Sequence, residues 1–233
     1  MVTSDPSTQD AASMAKLAAE HGLSIGAIHS PCLLVTRKVW GTDPVGKIER
    51  SVEVASEAGV PVVIVHPPYR WQASYRNLLT DSRAGLSKDP QVTVAVENMF
   101  PFHLGRRRLT FHSNQDLDEL DQMPHLVLDT SHAAVAGHDL IEVRRRFGER
   151  LRHVHLSDNA GKGWDSHLPP GDGTLDLDAF MDDLAGSGYA GSVSLEVDLR
   201  RYLSDERKLL EVMVGMRERC EARLTAGAAE AGT

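Results

Sequence analysis

Short apolar runs alternate with amphipathic stretches along most of the chain, and each run delivers a histidine, aspartate or glutamate at or near its C-terminal end. SIGAIH ends at His29, VPVVIVH at His66, VTVAVE at Glu97 and HLVLD at Asp129; RHVHL carries His155, and SVSLE ends at Glu196. Runs this rich in Val, Ile, Leu and Ala fit parallel strands buried on both faces. Strands are therefore expected at 24–29, 61–66, 92–97, 125–129, 151–156 and 192–196. The stretches between them read as helices at 8–21, 44–58, 71–89, 138–149, 176–187 and 203–224, with a short one near 114–121. Pro44 at a helix start, and Gly22 and Gly59 just past helix ends, mark boundaries. The longest irregular stretch, 98–124, has a length usual for functional loops. The Ala/Gly-rich segment 225–233 reads as a disordered tail, leaving 1–224 as a single domain.

Strands alternating with helices imply βαβ units, whose strand ends all point to one face, so distant residues converge there. One polar residue ending a strand is ordinary punctuation. Six drawn only from His, Asp and Glu describe a site. The architecture expected is an α/β (β/α) barrel, yet such a barrel needs eight strands and six are recognisable. Because an open edge invites pairing, a start downstream of two lost strands is the preferred account, with homodimerisation through the gap as the alternative.

Composition narrows the classes. The chain has 233 residues, 41% hydrophobic and 25% charged, as in a soluble globular protein. No apolar run is long enough to span a membrane, and the N-terminus lacks a basic start with an apolar stretch, so a cytoplasmic location is expected. Only Cys32 and Cys220 occur, too few for a disulfide framework or a thiolate metal site. A net charge of −8 argues against nucleic acid as a partner. The clusters Arg106–Arg108 and Arg144–Arg146 are local exceptions, the second read as a solvated helix face.

Local motifs add donors. DTSH sets Asp129 and His132 three apart where the chain turns into a loop. DSH sets Asp165 and His167 two apart, and an extended backbone would put both on one face. These donors suit Zn, Mn or Mg. Asp158 and Asp172 sit in turn-like contexts; His103, His112, His125, His138 and His153 lack the strand-end position. Arg70 and Trp71, in HPPYRWQ, are candidates for contacting a phosphate or sugar face, although a packed Trp reads equally well.

The set from His29 to Glu196 resembles the xylose isomerase-like barrel superfamily, which includes sugar phosphate isomerases and epimerases and the apurinic/apyrimidinic endonucleases. The stretch from HLSDNAGKGWDSHLPPGDG to SLEVD carries most of the likeness, with VENMFP and LDTSH matching the fifth and sixth strand ends. The likeness makes SIGAIHSP the third strand, so it also implies that the first two are missing. In the isomerase and epimerase branch it implies one divalent metal (Mn, Mg, Co or Zn) held by Glu97, Asp129, His155 and Glu196. Substrate would be a sugar, sugar phosphate or polyol, and a metal-stabilised enediolate the intermediate. Glu97 and Glu196 are then the acid/base pair, with His66 and His132 orienting hydroxyls. In the endonuclease branch the likeness implies three zinc ions, with His29, His66, His132, Asp165 and His167 as further ligands. An inactive or regulatory homologue is the third reading.

Overall fold

The computed structural model describes residues 2–3, 5–32, 36, 38–80, 87–104 and 107–231. Its strands are β1 (Ile28–His29), β2 (Val62–Val65), β3 (Thr93–Glu97), β4 (Phe102–Leu104), β5 (Arg107–Leu109), β6 (Leu126–Asp129), β7 (Leu151–Leu156) and β8 (Ser192–Leu195). The α-helices are α1 (Ala11–Glu20), α2 (Pro44–Ala58), α3 (Ala73–Thr80), α4 (Leu117–Leu120), α5 (Thr130–Ala136), α6 (Leu140–Phe147), α7 (Leu177–Gly186) and α8 (Glu206–Ala231). Six strands form one sheet in the order β1-β2-β3-β6-β7-β8, and β4 and β5 form a separate antiparallel hairpin. The pairs β1–β2, β2–β3, β3–β6 and β7–β8 all run parallel, as the apolar runs and helical crossovers predicted.

The chain divides into two compact units, Met1–Met99 with Thr110–Val127, and Phe100–Leu109 with Leu128–Thr233. In the first, α2 follows its sequence signals closely. The Asp43 carboxylate accepts the Gly46 N–H at 2.9 Å, Pro44 opens the helix, and Gly59 closes it in the left-handed conformation at φ 66°. Its inner face buries Ile48, Val52, Val54 and Ala55. It also buries Lys47, whose ammonium donates to the carbonyls of Pro31 and Thr36, both at 2.8 Å. Between the strands, Val62, Ile64, Ala95 and Val127 pack together with Ala27 against them. Side chains two apart on a strand share a face. The residues two positions beyond Ala27, Ile64 and Ala95 are His29, His66 and Glu97. In the first unit, the face that forms this apolar cluster thus carries candidate ligands at its C-terminal end.

In the second unit α7 buries Leu177, Phe180, Met181 and Leu184. Its outer residues Asp178 and Asp182 bind Arg219 and Arg223 of α8 at 2.9–3.0 Å. The Arg144–Arg146 cluster is not simply a solvated face: Arg144 and Arg145 both pair with Asp183 of α7. Arg106 lies outside the described residues.

Element boundaries differ from the sequence reading in instructive places. Among the described residues, the run 24–29 pairs with β2 only at Ile28 and His29, and the His29 carbonyl also accepts the Val2 N–H at 3.0 Å. Segment 98–124 contains the β4–β5 hairpin, and the predicted helix near 114–121 shrinks to Leu117–Leu120. The helix read at 71–89 covers Ala73–Thr80; residues 81–86 lie outside the described ones. Residues 130–136, read as loop, form α5. The last helix continues to Ala231, into the segment read as a tail, because alanine is the strongest helix former.

Candidate metal centre and active site

In the first unit, His29 and His66 both present Nε2 to the same oxygen, Oε2 of Glu97, each at 3.1 Å. All three are buried, Glu97 being only 1% exposed. The two rings lie 4.6 Å apart, and Tyr75 donates its hydroxyl to the His66 backbone carbonyl at 2.5 Å. Two imidazoles turned onto one buried carboxylate oxygen are a ready cation cradle. In the segment that follows His66, Trp71 is exposed and stacks on Tyr69 at 4.8 Å, with rings 9° from parallel, and Tyr69 in turn stacks on His112. Arg70 donates to the Thr110 hydroxyl at 2.7 Å. Trp71 is therefore an exposed flat face, not a core packing residue.

The second unit holds two further donor groups. Asp129 caps α5, its Oδ1 accepting the His132 N–H at 2.7 Å. Its Oδ2 lies 3.8 Å from Nδ1 of His155, which is 2.6 Å from Oε2 of Glu196. Asp129 is fully buried, whereas the Glu196 side chain is 35% exposed. One carboxylate is thus sealed from water, while the other reaches solvent.

The remaining group joins Asp165, His132 and His167. Asp165 Oδ2 lies 2.7 Å from His167 Nε2 and 3.5 Å from His132 Nε2. Donor atoms of Asp129, His132 and His167 also lie within 4.8 Å of one another. The D-x-H pair meets, but not through the extended backbone expected. His167 has φ 41°, so the chain turns there, and its Nδ1 reaches the Glu196 carbonyl at 3.0 Å. Burial pushes the Asp165 carboxyl up, but hydrogen bonds and charge from His132 and His167 outweigh it and hold the group well below the usual carboxylate range. Burial likewise pushes His167 down, and the Asp165 bond with the Asp129 and Asp165 charges overrides it, raising the imidazole to about 9.

The loop carrying this pair is anchored by Asp158. Its buried carboxylate accepts four backbone N–H groups, from Asn159, Gly171, Gly173 and Leu175, at 2.8–3.0 Å. The turn role read for Asp158 is thereby specified. Asp172 pairs with Arg201.

These donors are imidazole nitrogens and carboxylate oxygens. Burial raises the Cys32 thiol to about 11, which leaves it no thiolate character near neutral pH. The set fits a divalent cation of the Zn, Mn, Co or Mg kind.

The model of the xylose isomerase-like TIM barrel matches residues 3–218. The chain belongs to that family. An uncharacterized protein of Mycobacterium tuberculosis is 38% identical over 216 residues, covering 84% of this chain and 77% of its own. A putative hydroxypyruvate isomerase of Streptomyces coelicolor is 37% identical over 70 residues, 30% of this chain and 23% of its own. Among solved structures, an L-ribulose 3-epimerase superposes with a TM-score of 0.64 at 19% identity, covering 97% of this chain and 82% of that one. That superposition establishes the fold and nothing finer.

Of the predicted residues, the first unit brings together His29, His66 and Glu97, and the second brings together Asp129, His132, His155, Asp165, His167 and Glu196. Sequence reasoning passed over Ser131, Asn159 and Tyr75. Ser131 and Asn159 stand inside the DTSH and HLSDN motifs beside recognised ligands, the one signal that pointed to them. Among the described residues no helix is long and apolar enough to cross a membrane.

Proposed function

We propose that the protein is a divalent-metal-dependent isomerase or epimerase of a sugar, sugar phosphate or related polyol, moving a proton at a carbon next to a carbonyl. The observation that carries this reading is the unequal exposure of the strand-end carboxylates around His155. Asp129 is sealed in, and Glu196 holds His155 while staying open to a substrate. Glu97, Asp129, His155 and Glu196 are the proposed holders of one cation, which when bound would polarise neighbouring carbonyl and hydroxyl oxygens and acidify the C–H between them. Glu196 and Glu97 remove and return the proton, since a positioned carboxylate at a strand end suits general acid/base work. His66 and His132 orient hydroxyls, and Trp71 with Arg70 offers a flat face and a charge to the far end of the substrate. The epimerase and isomerase names among the similar proteins support this chemistry.

The test is proton exchange. Glu196→Gln keeps the volume and removes the base, so solvent deuterium incorporation into a ketose should fall about a hundredfold or more. Exchange at the wild-type rate would remove Glu196 from the mechanism.

A second reading has its own support. The groups His29–His66–Glu97 and His132–Asp165–His167 are each two imidazoles on one carboxylate oxygen, beyond what one cation needs. Three zinc ions and phosphodiester hydrolysis are the corresponding alternative. Metal analysis separates the two: one exchangeable cation per chain favours the sugar enzyme, about three tightly held zinc ions the hydrolase.

A further inference from the structure

We infer that Ser131 and Asn159 are positioning residues that fix which oxygen of Asp165 faces the histidines. The inference deepens the metal reading and rests on it only for the identity of the group that Asp165 serves. Both residues are buried, Ser131 fully and Asn159 at 1% exposure.

The direction of each hydrogen follows from the backbone. Asn159 Oδ1 accepts the Gly161 N–H at 2.8 Å, and Nδ2 donates to the Trp164 carbonyl at 3.1 Å. A backbone N–H only donates and a carbonyl only accepts, so the amide has one orientation. The second Nδ2 hydrogen points to Ser131 Oγ at 2.9 Å. Ser131 is thereby an acceptor toward Asn159, and its own hydrogen goes to Asp165 Oδ1 at 2.6 Å. With Oδ1 engaged, Oδ2 is turned to His167 at 2.7 Å and His132 at 3.5 Å. The backbone of Asn159 is held as firmly, its N–H on Asp158 at 2.8 Å and its carbonyl taking the Thr174 N–H at 2.9 Å. An asparagine locked at both ends thus orients a serine, and the serine orients a carboxylate. This is the outer layer that sets ligand direction and affinity in metal sites.

The experiment uses the full-length chain, stripped with chelator, as wild type, Ser131→Ala and Asn159→Asp. Replacing the amide by a carboxylate removes the Nδ2 donor and draws the serine hydrogen away from Asp165. Two signals are read: imidazole 15N resonances of His132 and His167 in the metal-free protein, and calorimetric Zn2+ titration, with His167→Gln marking the phase that belongs to this cluster. Both variants should shift the His167 resonances and weaken that phase about tenfold or more, leaving the other phases unchanged. A purely structural role would lower the melting temperature without moving either signal. Unmoved His167 resonances in both variants overturn the inference. If wild-type protein shows no Zn2+ phase that His167→Gln removes, the metal reading of this cluster fails, and the resonance shifts alone decide the positioning role.

Discussion

At the scale of single residues, His167 and Asp165 show what the donor cluster does without a cation. His167 Nδ1 lies on the Glu196 backbone carbonyl, which can only accept, and on the Ser157 hydroxyl, which can do either, while Nε2 lies on a carboxylate; a charged imidazole that donates from both nitrogens satisfies all three. Its folded value of about 9 exceeds the ordinary 6.5. The pairing therefore stabilises the metal-free fold fully below about pH 6.5 and loses that contribution as pH rises through about 9. A cation taking Nε2 must expel this proton. Calorimetric titrations at pH 7.5 in buffers of different ionisation enthalpy should show about one proton released per cation bound at this cluster, and His167→Gln should remove that release. Uptake without release in the wild type would refute the assignment. Sequence spacing revealed that Asp165 and His167 act together, but the turned backbone at His167 was invisible, because nothing in D-x-H distinguishes an extended pair from one folded around a left-handed residue.

At the scale of elements, the strands were legible because burial on both faces writes continuous apolar runs, and α2 was legible because its caps are explicit. The β4–β5 hairpin and α5 were not. Each has three to seven residues, too few for periodicity to register, and α5 opens on Thr-Ser-His where a loop reads equally well. The loop after β7 was legible only as a loop. Its shape depends on one buried carboxylate gathering four N–H groups, and that requires Gly173. A Cβ there would stand 2.3 Å from Asp158 Oδ1 and 2.4 Å from the Asn159 carbonyl. The carbonyl belongs to backbone already bound to Thr174 and cannot swing aside. Gly173→Ala should cost about 1–3 kcal/mol, the usual price of overpacking, and lower the melting temperature by roughly 3–10 °C. Gly173 is not in the left-handed region, so the cost is steric, and Gly186→Ala, also outside that region and with a Cβ that meets nothing within 4 Å, is the control. A Gly173→Ala protein melting with the wild type would show that the Asp158 knot does not constrain the loop.

At the scale of the whole molecule, strand ends showed a converging site, since a parallel α/β sheet must collect its ligands there, and the stretch from HLSDNAGKGWDSHLPPGDG to SLEVD made the family legible. The strands of the main sheet were equally legible, six among the described residues. What the arrangement demands energetically is a counter-charge. One unit buries Glu97 between two imidazoles and the other buries Asp129, while Asp165 already faces the charged His167 and Glu196 is partly exposed. Carboxylates out of water are costly unless compensated, and the chain already carries a net −8. A cation bound only by the folded state stabilises it by RT ln(1 + [L]/Kd), about 2.7 kcal/mol at a hundredfold excess over Kd. For a chain of this size that corresponds to a rise of roughly 5–10 °C in melting temperature. Asp129→Asn sharpens the expectation, because asparagine keeps the Oδ1 that caps α5 while removing the buried charge. The variant should melt at or above the chelated wild type, and added Mn2+ or Zn2+ should no longer raise its transition. If metal stabilises Asp129→Asn as strongly as the wild type, Asp129 is not a ligand and the proposed centre must be redrawn around the remaining donors.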